Sequence, residues 1–164
     1  MLRSIARYNT NIVFFPMHVS ASENDPEFAL QVIARMKHGR RTHVIRGDSI
    51  SPSDYLALIG QARFFIASRL HSAILATVAN VPSLCLYYVD KGRLFFEQMG
   101  LQRFSADINV MLEPGIVERL MKTIGELVGE GETLRKDMAK RLRQMRKAIR
   151  ADLDKALETS DSRG

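Results

Sequence analysis

The sequence has no tryptophan and a single cysteine, Cys85, among its 164 residues. One cysteine cannot close an internal disulfide, so no covalent staple is expected. Cys85 lies inside the apolar run "SLCLYYV" (83–89). It reads as a buried free thiol in a reducing, cytoplasmic setting. No apolar run approaches the ~18 residues that a membrane span needs. The start, "MLRSIARYNTNIVFFP", has early arginines and a short apolar run. Asn9, Asn11 and Pro16 interrupt it and no small-residue cleavage site follows, so it reads as mature structure rather than a signal peptide. The four histidines (18, 38, 43 and 71) show no ligand spacing with one another or with Cys85. Neither a metal nor a resident cofactor is expected. No internal repeat is visible.

The formal charge is +6, unevenly spread. Residues 1–130 carry 14 basic and 12 acidic side chains, and residues 131–164 carry 10 and 6. A nucleic-acid binder would show its basic surface on the folded body, and here the body is nearly neutral. No nucleic-acid partner is expected. The same boundary divides the chain into a body, 1–130, and a basic helical tail, 131–164, that packs on the body or extends from it.

Within the body, apolar runs alternate with helical patterns. Strands are predicted at 11–17, 42–46, 63–68 and 83–89, with a weak fifth near Phe104–Ile108. Helices are predicted at 26–39 (apolar face Phe28, Val32, Ile33, Met36; stop at Gly39), after Ser51 or Ser53, at 70–80 and at 92–100. Two more follow, at about 115–128 and 132–158. "SASENDPE" (20–27) reads as a polar loop in which Asp25, directly before Pro26, either positions a ligand or caps a helix; the cap is preferred. Arg46 and Asp48 flank Gly47 in a turn. Single helices between strands imply parallel pairing through crossovers. The expected fold is α/β, a Rossmann-like doubly wound parallel sheet.

Such sheets bind ligands beyond the carboxyl ends of their strands. "IASRLHS" (66–72) stands there. A helix starting after Ser68 offers free N–H groups and a partial positive charge. Arg69 adds a fork of donors suited to carboxylate or phosphate, and His71 a proton donor or acceptor. A plainer account is that Ser68 caps the helix, Arg69 pairs with a surface carboxylate and His71 is a satisfied first-turn histidine. His18 and Ser20 follow the first strand, at a position that could line the same rim; His18 reads equally as a loop histidine. Tyr87 and Tyr88 alternate in direction, one to the core and one outward.

The stretch "SRLHSAILATVANVPSLCLYYVDKGRLFFEQMGL" (68–101) resembles the polysaccharide pyruvyl transferase family. It has the Arg-x-His pair (Arg69, His71) entering a helix of small and apolar residues. Val81-Pro82, Tyr88, Lys91 and the closing Gly100-Leu101 follow in the same order and spacing. The resemblance runs more loosely back to the strand at 11–17 through Asp25. It implies the C-terminal lobe of a GT-B fold, with an N-terminal lobe expected to be missing. It also implies phosphoenolpyruvate as donor and a cell-surface polysaccharide sugar, lipid-linked or free, as acceptor of a pyruvate ketal. Under it, Arg69 and Lys91 grip the donor, His71 moves the proton, and Ser68, Tyr88 and His18 complete the binding residues.

Two other readings stand beside it: the nucleotide-sugar lobe of a different GT-B glycosyltransferase, and a non-catalytic interaction module. The tail helix has an apolar stripe, Leu134, Met138, Leu142, Met145, Ile149 and Leu153, in a basic surround. It reads as a packing helix with a solvated face, as a surface vacated by another lobe, or as a peripheral contact at the inner face of a membrane.

Overall fold

The computed structural model describes residues 10–20, 23–36, 41–46 and 50–161. The positions of Gly39, Gly47 and Asp48 lie outside them. Among the described residues five strands and six α-helices alternate as the sequence pattern predicts: β1 (Ile12–Phe14), α1 (Asp25–Ala34), β2 (Thr42–Val44), α2 (Pro52–Gly60), β3 (Phe65–Ala67), α3 (Leu70–Val78), β4 (Ser83–Tyr87), α4 (Asp90–Gln98), β5 (Ser105–Asp107), α5 (Ile116–Gly129) and α6 (Gly131–Asp161). Every strand pair is parallel. The weak fifth strand is real and pairs with β4 through Cys85–Ser105, Leu86–Ala106 and Tyr87–Asp107.

The single sheet expected from the sequence is divided. β1 pairs with β2, and β3, β4 and β5 form a second ladder. Side chains link the two: the Phe15 ring stands 5.8 Å from Phe65 and 5.9 Å from Tyr55, and the Tyr55 hydroxyl donates to the Pro16 carbonyl at 2.8 Å. Burial follows the same division. Strand β4 is buried from Ser83 to Leu86, whereas β1 and β2 alternate between partly buried and exposed. Phe28, placed on the inward face of α1 by its spacing, is instead 67% exposed, and Ala29 is the buried residue of that helix.

The core lies between α2–α5, the start of α6 and the β3–β4–β5 ladder. Phe96, Phe104, Met99, Ile124 and Met138 are sealed within it, with Cys85. Burial pushes the Cys85 thiol up to about 11, so it is inert at neutral pH.

Helices α3 and α4 stop in the same way. Asn80 and Gly100 take left-handed backbone (φ 57° and 65°), and the next residue folds back: Val81 N–H to the Ala76 carbonyl at 2.8 Å, Leu101 N–H to Phe96 at 2.7 Å. Val81 and Leu101 are then buried, as Schellman-type ends require.

Gly92 marks a close approach. A Cβ there would lie 2.7 Å from Tyr87 Cβ, an atom fixed to the β4 backbone. Gly92→Ala is expected to lower stability by about 1–3 kcal/mol in urea unfolding, since overpacking outweighs the gain in helix propensity. An unchanged midpoint would mean that α4 does not rest on β4 in this way.

Candidate functional site

The carboxyl edge of the strands gathers two loops. After β3, Arg69 sits at the start of α3 in extended backbone (φ −130°, ψ 143°). Its guanidinium reaches the loop after β1, where Nη2 donates to Glu23 Oε2 at 2.7 Å and to Asp25 Oδ1 at 3.4 Å. The other Asp25 oxygen accepts the backbone N–H of Met17 and of His18, each at 2.9 Å. Asp25 therefore ties the end of β1 to Arg69 and through it to the end of β3.

Asp25 is not the cap. Asn24 caps α1, accepting from the Glu27 N–H, and Asp25 is the first helical residue. The tie to Arg69 and the Met17–His18 backbone takes the carboxylate instead. His18, exposed, carries a 3.1 Å hydrogen bond between Nε2 and Ser20 Oγ, and that hydroxyl also accepts the Glu23 N–H.

The charges respond. The Arg69 hydrogen bond holds the Glu23 carboxyl below its ordinary value, and the same bond raises Arg69. The Arg69 side chain is 30% exposed, Asp25 30% and Glu23 56%. The Arg69 Nε and Nη1 hydrogens meet no acceptor among the described residues. The guanidinium is thus fixed on one side and open on the other.

His71 lies exposed in the first turn of α3, and Ser68 is exposed just before it. Ser68 does not cap the helix: Arg69 is the N-cap residue, and no side chain caps this end. The register of β3 on β4, Ala67 opposite Cys85, brings the starts of α3 and α4 to one edge. Lys91 is the second residue of α4 and exposed. Tyr88 is 58% exposed, while Tyr87 packs against the core.

The four helices that follow β1–β4 differ in one respect. Asn24 caps α1, and Ser51 with Asp54 forms a capping box on α2. The starts of α3 and α4 have no side-chain cap. Arg69 and Lys91 stand at these two starts, with the Asp90 carboxylate in the first turn of α4; an uncapped helix start can receive an anion. Among the described residues no three His, Cys, Asp or Glu side chains gather as a metal site.

A family profile, polysaccharide pyruvyl transferase, matches residues 2–90. That is more than half of the chain, and it includes the loop after β1, Arg69, His71 and Tyr88. The chain belongs to the polysaccharide pyruvyl transferase family. The match stops one residue short of Lys91, whose assignment rests on its place at the start of α4. It also stops before Gly100-Leu101. No solved structure gives a significant match to the chain.

Part of the resemblance noted in the sequence is architectural. Val81, Pro82 and Leu101 are buried where α3 and α4 end, and Gly100 makes the left-handed turn before Leu101, away from the carboxyl edge. Sequence reasoning also missed Glu23, absorbed into a polar loop. The available signal was its place two residues before Asp25, in a loop leaving a strand end toward an unpaired arginine.

Proposed function

We propose that this chain is the donor-binding half of a polysaccharide pyruvyl transferase. Phosphoenolpyruvate carries a carboxylate and a phosphate close together and needs convergent cationic and N–H donors. The observation that carries the reading is Arg69, fixed on one side by Glu23 and Asp25 and open on the other, at the uncapped start of α3. Lys91 supplies a second cation from the uncapped start of α4, and Ser68, Tyr88 and His18 complete the rim.

His71 is the proton-transfer residue. As imidazolium it protonates the methylene carbon, and positive charge develops at the central carbon. A sugar hydroxyl adds there and returns its proton to the imidazole. The central carbon then loses phosphate with the bonding electrons, and a second hydroxyl closes the ketal with loss of its proton. A positioned proton donor of this kind contributes about 10²–10⁴-fold. The scheme calls for no metal and no resident cofactor.

The acceptor is a sugar of a cell-surface polysaccharide, lipid-linked or free. The exposure of Ser68, His71, Tyr88 and Lys91 supports a second wall over them, the other lobe of a GT-B fold, because proton transfer to carbon needs shelter from water. Little turnover is expected from this chain alone. No helix among the described residues is long and apolar enough to cross a membrane. The inert thiol fits work in the cytoplasm, with any membrane contact peripheral.

Calorimetric titration at low salt tests the donor. Phosphoenolpyruvate is expected to bind weakly and to weaken further as salt is added. Binding of a nucleotide sugar, with none of phosphoenolpyruvate, would overturn the assignment in favour of a glycosyltransferase lobe.

A further inference from the structure

Helix α6 outruns the body. Leu134 and Met138 are buried near its start, and Leu142 and Met145 pack partly against the core. From Arg146 to Glu158 every residue is exposed. The apolar stripe does not end where the body ends. Ile149, Leu153 and Leu157 continue it at 64%, 57% and 59% exposure. Its steps are 4-4-3 from Leu134 to Met145 and 4-4-4 from Met145 to Leu157, spacing that keeps these residues on one side of the helix.

The charges along the overhang are ordered. Residues 143–150 hold four basic side chains and no acidic one. Residues 151–158 hold three acidic side chains and one basic. This order opposes the helix dipole, which favours acids early and bases late. The dipole of a lone helix gains nothing from it. Arg146, Arg150, Asp154 and Glu158 form no ion pair among the described residues.

We propose that the overhang is an interface for a second copy of this chain, laid antiparallel across the stripe. A two-fold axis at Asp152 sets Arg150 against the second copy's Asp154 and Arg146 against its Glu158. Ile149 then falls between the second copy's Leu153 and Leu157. In antiparallel pairs the same flank of each helix faces its counterpart, so the basic half of one copy meets the acidic half of the other, with one like-charge contact, Asp152 against the second copy's Asp152, at the axis. Parallel pairing sets like charges together. An anionic membrane fits less well, because Asp152 and Asp154 flank the stripe. The overlap, about 16 residues or ~24 Å, places the contact at the weak end of protein interfaces.

Sedimentation equilibrium of the full chain, from about 5 to about 500 µM, reads the association over the range of weak interfaces. A concentration-dependent dimer is expected. Leu153→Lys should leave a monomer throughout, with the wild-type thermal midpoint at the dilute end of the range, where the wild type is also monomeric, because the site is exposed. Arg150→Glu and Asp154→Lys should each dissociate alone, and an equimolar mixture of the two should dimerise again. A nitroxide on Gln144→Cys reports direction, and the buried Cys85 takes no label. Labels about 25 Å apart mark antiparallel helices, against about 10–15 Å for parallel ones. A wild-type monomer at every concentration, a dimer that survives Leu153→Lys, or short label distances would each overturn the proposal. So would a monomer that binds phosphatidylserine vesicles through this stripe.

Discussion

Arg69→Ala is expected to cut phosphoenolpyruvate affinity by about tenfold to a hundredfold, the loss of one charge-assisted hydrogen bond of about 1.5–3 kcal/mol. Glu23→Gln is expected to move affinity the other way. Glu23 holds Arg69 at 2.7 Å and competes, as a carboxylate, with the anionic donor. Asp25 plays a different part because its second oxygen also secures the Met17 and His18 N–H groups. Asp25→Asn should therefore lower affinity by loosening the loop. Calorimetry on the three variants gives the signs directly.

The same ion pair has a pH signature. The folded-state pKa of Glu23 is depressed by Arg69, so the contribution of the pair is complete above the ordinary 4.5 and is lost as pH falls through the lowered value. The loop after β1 should loosen in that acid window and stay fixed from pH 5 to 8. Amide exchange at Glu23–Asp25 would show it.

Arg135→Ala is expected to cost about 2–4 kcal/mol of stability, two charge-assisted hydrogen bonds discounted for partial exposure. The guanidinium donates to the Asn80 carbonyl at 2.6 Å and to the Ala62 carbonyl at 3.0 Å. These carbonyls lie just past the ends of α3 and α2, where helix dipoles place negative charge. One planar fork serves both ends and anchors the start of α6 to them. Lysine, a single point of charge, cannot span them, so Arg135→Lys should recover less than half of the loss. Lys140→Ala, on the exposed face of the same helix, should stay within about 0.5 kcal/mol. Equal urea midpoints for Arg135→Ala and Lys140→Ala would remove Arg135 from the structural account.

The alternation of elements was legible because each strand and helix carries its own period, and even the short β5 was visible at Phe104–Ile108. The break between β1–β2 and the β3–β4–β5 ladder was not, since apolar character does not report which strand ends share hydrogen bonds. Phe28 shows the same limit: helical spacing names a face but not whether another layer covers it. Arg69 and His71 were legible because a strand end, a helix start and two chemically active side chains coincide. Glu23 and the tie through Asp25 were not, because an ion pair across 44–46 residues leaves no local pattern. Arg135 was hidden among the basic residues of α6, one side chain turned inward within a run read as solvated.

The central claim is that the starts of α3 and α4 bind the donor around Arg69. Amide chemical-shift mapping during phosphoenolpyruvate titration at low salt tests it most directly. The largest shifts are expected at Arg69–Ser72 and at Val89–Gly92, with smaller ones at Glu23 and Asp25, and in Arg69→Ala all of them should need about ten to a hundred times more phosphoenolpyruvate. Shifts confined to the basic face of α6, or the same shifts at the same concentrations in wild type and Arg69→Ala, would contradict the account.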